Sequence, residues 1–488
     1  MRRFVVLLIL SVGLTRLSAQ TDFEAYKRQQ QQQFDRDKAQ KKQDFEAYRD
    51  QLNAQFADVM RKAWKSFPVS ASKPQPKRPE PPRPVVRGEG DESVPATLPV
   101  KVVVPADKPS AHPTPVVPIP AAVPPTASTP GHAFLFYGTR CKVPLAASQR
   151  FTLSGTQEAH VADAWEVMSS ESYLQLLSFC SEYRRMLGLC DWGYVRFIQE
   201  MSSSYFGSSR PNEAIVMQMY LLTQSGYKVR IARTGSHLVL LIPFEQEVYG
   251  YPYITIQGEP YYIVSNHPKG ASFVVLDHAF AKEKRMSLRM DRLPALAVKS
   301  ASVRSLADDG EVKASVEFNQ NLIDFLDDYP ASSAWDLYSL SSISKGVKEK
   351  LYPSLQSAIA GKSEVEAADV LLRFVQTALD YKTDHDQFGV ERALFADETL
   401  YYPYCDCEDR AILYSILVRD LMGLDVVLLA YPNHLATAVG FRTEVEGDCI
   451  LLGGKRYVVC DPTYIGATVG EAMPQCERQS AAVLRIAK

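Results

Sequence analysis

Neither sign of charge dominates this chain: 54 Lys and Arg stand against 56 Asp and Glu, a net charge of −2. That balance removes the electrostatic case for nucleic acid or an acidic polymer as a partner. No CxxC or HxxxH pair occurs, so the usual spacings of a metal clip are missing. Beyond the N-terminus no apolar run approaches the roughly 20 residues that a membrane span requires.

What is present begins with export. Arg2 and Arg3 precede the apolar run FVVLLILSVGL, and LSAQ closes it with small residues, the pattern of a signal peptide (1–19) cleaved after Ala19. The competing reading is a membrane anchor, for which the run is short. The mature protein is therefore expected to have no stable membrane span and to be periplasmic or secreted, in a bacterial cell envelope. Disulfides are permitted there. If one of the eight cysteines is reserved for chemistry, at least one more stays unpaired, and the connectivity of the rest is not fixed by spacing.

At 488 residues the chain is too long for one ordinary core, so two or three domains are expected. Over residues 20–67, Phe23, Phe34, Phe45, Phe56 and Phe67 recur every eleven residues, and DFEAYKRQ (22–29) returns as DFEAYRDQ (44–51). Eleven residues make three helical turns at about 3.67 per turn, which keeps one face in register. With no Gly or Pro to interrupt, a long helix is expected. It is either a solvated single helix or a coiled coil that supports an oligomer. Residues 68–130 hold 18 of the 31 prolines and read as an extended linker, a spacer that cannot bury a core.

The remainder divides near VRSLADDGEV (303–312), into halves 131–302 and 313–488 that match each other. RFIQEM (196–201) parallels RFVQTA (373–378). NEAIVMQMYLLTQSGYKVRIARTGSHLVLL (212–241) parallels the segment from Asp409, and GEPYYIVS (258–265) parallels GKRYVVCD (454–461). Gly226 falls on Gly423 and His237 on His434. Each copy reads as an amphipathic helix, a glycine stop, then strand, turn and strand, with the second hairpin turning at Gly453-Gly454. Helix followed by antiparallel sheet is an α+β arrangement.

The second copy carries the chemistry. With Asp406 as N-cap, Cys407 becomes the first helical residue and Asp409 the third, close to a capping box. A thiol in the first turn lies at the positive end of the helix dipole, which favours thiolate, although Glu408 and Asp409 oppose it. An imidazole would supply the missing positive charge. His434 opens a strand and Asp461 ends another, so Cys407, His434 and Asp461 are the parts of a triad: nucleophile, general base and orienting carboxylate.

DCEDRA, the strand-opening histidine and VVCDPTY together resemble the transglutaminase-like superfamily of papain-type cysteine enzymes, and especially its bacterial cysteine-proteinase branch. The resemblance covers about residues 365–465. It implies two tandem transglutaminase-like domains, a triad of Cys407, His434 and Asp461, no cofactor, and a protein or peptide substrate. Two positions depart from the family pattern: Cys405 stands for the usual glycine before Asp-Cys, and Ala436 for an aromatic after the histidine. The first copy has Arg210, His237 and Ser265 at the triad positions, so it is expected to be degenerate. Cysteine peptidase or amidase chemistry, or acyl transfer to an amine, then competes with a non-catalytic envelope scaffold. Cys407 as a structural buried thiol, Cys405 with Cys407 as a metal clip, and a Cys449–Cys460 bridge are the plainer alternatives. Gln376 could donate into an oxyanion hole, but Gln199 holds the same place in the thiol-free copy, which favours a structural role. The backbone N–H of Cys407 is the safer oxyanion donor.

Overall fold

A computed structural model describes residues 27–486 except 34, 37–39, 41–42, 45, 75–82, 89–93, 105–112, 114, 117–130, 266–271 and 281. The export signal and Phe23, Phe34 and Phe45 lie outside the described residues. The described residues from 27 to 60 are helical and form α1. The helix ends seven residues before the phenylalanine repeat does, and Phe67 lies instead in strand β1 (Lys65–Pro68), opposite Phe273. Phe56, Ala57 and Met60 on its last turns are buried, and the Phe56 ring lies 5.2 Å from Trp165 and 4.2 Å from Phe280. The apolar stripe at this end, which the coiled-coil alternative would offer to a partner, packs on the chain's own first half.

The proline-rich segment is not a free spacer. It supplies β2 (Val85–Val86) and β3 (Val100–Val104), and Leu98 is buried in the core of the second half. The reading failed here because a strand's partner can lie far away in sequence. The first half continues with the hairpin β4 (His132–Phe136) and β5 (Thr139–Val143). Four helices follow: α2 (Glu158–Met168), α3 (Glu171–Leu187), α4 (Asp191–Phe206) and α5 (Pro211–Gln224). Strands β6 (Arg230–Thr234), β7 (His237–Ile242), β8 (Tyr253–Ile256), β9 (Glu259–Ile263) and β10 (Ser272–Val275) complete it.

The division near 303–312 falls on a second hairpin, β11 (Ser300–Ala307) with β12 (Lys313–Asn319). Next come α6 (Gln320–Asp327), α7 (Trp335–Leu340), α8 (Lys345–Ile359) and α9 (Glu364–Thr377). Helix α9 starts with a Ser363–Glu366 capping box, each side chain bonded to the other's backbone amide. The short pieces β13 (Asp380–Tyr381), α10 (Asp384–Phe388), α11 (Ala396–Tyr401) and β14 (Tyr404–Cys405) lead into α12 (Cys407–Met422). Gly423 stops that helix at φ 65°. Strands β15 (Asp425–Tyr431), β16 (His434–Gly440), β17 (Cys449–Leu452), β18 (Lys455–Cys460), β19 (Tyr464–Ile465) and β20 (Ala481–Arg485) end the fold. The β17–β18 turn is made by Gly453 and Gly454, both at positive φ, which suits a two-residue hairpin.

The result is α+β with two six-stranded sheets, ordered β1-β10-β6-β7-β9-β8 and β3-β20-β15-β16-β18-β17. Element for element the two orders correspond. Each has two hairpins side by side, the last strand of its half on the far side of the first hairpin, and a strand from the proline-rich side at the edge. One difference breaks the likeness: β1 pairs antiparallel with β10, whereas β3 pairs parallel with β20. One buried apolar cluster runs through α4, α5, α9 and α12, so the halves share a core. No helix among the described residues is long and apolar enough to cross a membrane.

Candidate active site

Cys407 opens α12 and Asp406 precedes it as N-cap. The Asp406 N–H donates to Asp409 Oδ2 at 3.3 Å, the backward arm of a capping box. These carboxylates also hold the preceding loop: Asp384 N donates to Asp406 at 3.2 Å and Leu394 N to Asp409 at 2.8 Å. Burial first, and then the Glu408 carboxylate, holds the Asp409 carboxyl well above its ordinary range. The Cys407 thiol is 2% exposed and donates to Glu408 Oε2 at 3.2 Å.

The lengths of α12 and of the strand after it are closely matched. Helix α12 has 16 residues and rises about 22 Å. After Gly423 the seven residues of β15 run back about 20 Å. Tyr431 and His434, paired across the turn, therefore return to the level of Cys407, and α12 packs on both strands. Strand β18 pairs with β16 through Cys460 and Thr437, which brings Asp461 to the same end.

His434 Nε2 and Asp461 Oδ2 are 2.7 Å apart and both side chains are buried. The second carboxylate oxygen, Oδ1, accepts from Thr463 N at 3.0 Å, and the Tyr431 ring lies within 14° of parallel to the imidazole. With Nε2 engaged by the carboxylate, Nδ1 is the nitrogen left to serve a thiol. It is buried and has no hydrogen-bond partner. The structure thus joins His434 to Asp461 but does not close the Cys407–His434 hydrogen bond.

Gln376 braces the loop that follows Asp461. Its Nε2 donates to the carbonyls of Asp461 (3.2 Å), Tyr464 (2.8 Å) and Ala467 (3.1 Å). Those bonds occupy the amide, in keeping with the structural role rather than the oxyanion one. Arg410, buried, ties the same region together by donating to the Gln376 and Leu379 carbonyls.

Among the described residues, which include all eight cysteines, no disulfide forms, and every thiol is buried. Cys449 pairs with Val458, two residues from Cys460, which puts the two cysteines on the diagonal, and the bridge weighed between them is not made. Cys405 Sγ donates to the Asp380 carbonyl at 3.7 Å, and burial pushes its thiol up to about 11. The groups near Cys407 that could hold a metal are carboxylates rather than thiols. One oxygen each from Asp384, Asp406 and Asp409 lies within 4.8 Å of the others, and so does one each from Asp384, Glu391 and Glu408. All-oxygen sets of this kind suit hard divalent cations. Asp384 and Glu391 escaped the sequence reading because Asp384 lies 22 residues before Asp406, in no motif spacing.

In the first half Arg210 precedes α5, His237 opens β7 and is exposed, and Ser265 follows β9. These positions match the triad in place without a thiol or a carboxylate. No protein-family model matches the chain, and no curated protein or solved structure matches it either.

Proposed function

We propose that the chain is an exported cysteine hydrolase built from two tandem transglutaminase-like domains, the second catalytic, acting on peptide or carboxamide bonds. The observation that supports it is the buried His434–Asp461 pair, whose Nδ1 has no hydrogen-bond partner, at the turn of a hairpin about as long as the helix that Cys407 opens. His434 takes the thiol proton and Cys407 Sγ attacks the carbonyl carbon. The oxyanion gathers at the Cys407 N–H, an amide at a helix N-terminus. The amine leaves with the proton from His434, giving a thioester, and a water activated by His434 hydrolyses it. An amine in place of that water would make the same site a transglutaminase.

A specific observation favours the rival reading, a non-catalytic envelope scaffold: the thiol rests on Glu408 and the imidazole has not engaged it. Alkylation with iodoacetamide near neutral pH, followed by peptide mapping, separates the two. The hydrolase reading expects selective labelling of Cys407 that collapses in His434→Ala. A Cys407 as inert as Cys405 would sink it.

A further inference from the structure

Helix α1 spends only part of its apolar face on the body of the chain. Phe56, Ala57 and Met60 are buried, but Tyr48 is 54% exposed, and Leu52 and Val59 are half-buried. Tyr48, Leu52, Phe56 and Val59 follow one another at spacings of four, four and three, so they share one side of the helix. Between that side and the loop after β10 lies a groove of about 620 Å³, within the range of about 300–1,000 Å³ usual for small-molecule sites. Val116 and Phe280 complete its apolar floor, with the Phe280 ring 4.2 Å from Phe56.

The other wall is cationic. Lys282 and Lys284, both exposed, line the groove together with His278. The acids of the same loop are committed elsewhere. Glu283, between the two lysines, accepts from Nη1 and Nη2 of the buried Arg230 at 2.9 and 2.6 Å, and Asp277 accepts from Lys65 at 2.8 Å. The Lys284 backbone pins this arrangement, donating to the Gly226 carbonyl at 3.0 Å and accepting from Lys228 N at 2.7 Å. Among the described residues that line the groove there is no Asp or Glu. An anion that entered would therefore meet two ammonium groups and no carboxylate.

An apolar floor and a positive wall have to be matched at once. A polyanion satisfies only the second, and a hydrocarbon or an apolar helix only the first. We propose that this groove binds a long-chain carboxylate, its acyl chain along α1 and its head at Lys282 and Lys284. Lysine ammonium groups act as point charges without the bidentate fork of arginine, which suits a monoanionic head. The hydrolase reading plays no part, since every residue lining the groove lies outside the second half.

The test uses the full chain and 11-(dansylamino)undecanoate, whose fluorescence rises on leaving water, displaced by unlabelled amphiphiles. Dodecanoate is expected to displace the probe about tenfold or more better than dodecyltrimethylammonium, which has the same chain and the opposite charge. Lengthening the carboxylate from decanoate to dodecanoate should tighten binding about tenfold, the fold-change carried by two buried methylenes. Leu52→Trp fills the groove, and Lys282→Glu reverses a charge on the surface. Each should weaken dodecanoate about tenfold, and Lys282→Glu decides the matter if the tryptophan variant fails to fold. No probe binding, equal displacement by the two charges, or binding indifferent to Lys282→Glu would overturn the proposal. So would either other occupant. Probe binding that weakens as the protein concentration rises assigns the groove to a second copy of the chain. Binding seen only after Val117→Ser with Ile119→Ser assigns it to the chain's own next residues.

Discussion

His434 Nε2 sits 2.7 Å from Asp461 Oδ2, and this contact, not the thiol–imidazole one, is the part of the proposed triad already made. Asp461→Asn keeps the shape but removes the charge that steadies an imidazolium. Iodoacetamide labelling of Cys407 is expected to slow about 10²-fold, in the range of a general-base contribution, with little change in thermal midpoint. An unchanged labelling rate would remove Asp461 from the site.

Gln376 donates to three carbonyls of the Asp461–Ala467 segment, whereas Gln199 makes one such bond, to Val264. Gln376→Leu leaves those buried carbonyls short of a donor. It should cost about 1–3 kcal/mol in urea unfolding and also slow Cys407 labelling, because the loop carries Asp461. Gln199→Leu should cost less and leave labelling unchanged. Equal effects on labelling would contradict the bracing role.

Asp397 provides a pH signature. It is buried, and burial lifts its carboxyl to about 6 despite the bond that it accepts from Ser344 N. A carboxyl raised in the fold stabilises it fully below its unfolded value, near 3.9, and that contribution is lost as the pH rises through about 6. Asp397→Asn stays neutral throughout. It should match the parent at pH 4 and exceed it at pH 7.5 by on the order of 3 kcal/mol, since each tenfold change in proton affinity is worth about 1.4 kcal/mol. Parallel stability curves from pH 4 to 7.5 would rule this out.

Leu98 lies in the proline-rich segment, where a spacer would tolerate any small residue. It is 4% exposed in the core of the second half. Leu98→Ala should therefore cost about 2–5 kcal/mol, as for a buried leucine elsewhere. A loss under about 0.5 kcal/mol, the size of an ordinary surface change, would return the segment to the role of a spacer.

The second half was legible because its signals are local. The helical spacing from Ala411 to Leu421, the stop at Gly423 and the turn at Gly453-Gly454 each depend on residues within one element of each other. The constant offset between the halves extended that reading to two matching sheets. Partners at long range were not legible. VKVVV (100–104) was read with the prolines around it, since its partner strand begins at Ala481. Likewise the packing of Phe56 on Trp165 turned a coiled-coil stripe into a docking face. The acids around Cys407 were read as opposing a thiolate, but they also accept amides of a loop that starts at Asp384.

Strand β20 lies between β15 and β3, yet it follows every other strand in the chain, while β3 precedes nearly the whole first half. A polypeptide made from its N-terminus must therefore carry a valine-rich edge, unmatched, until both halves have been synthesised. Such long-range closure is slow and leaves a pairing edge open to wrong partners meanwhile. A chain cut just before Ala481 would keep both helical layers and the triad residues, but would lose the strand that joins an early-made segment to the latest-made sheet.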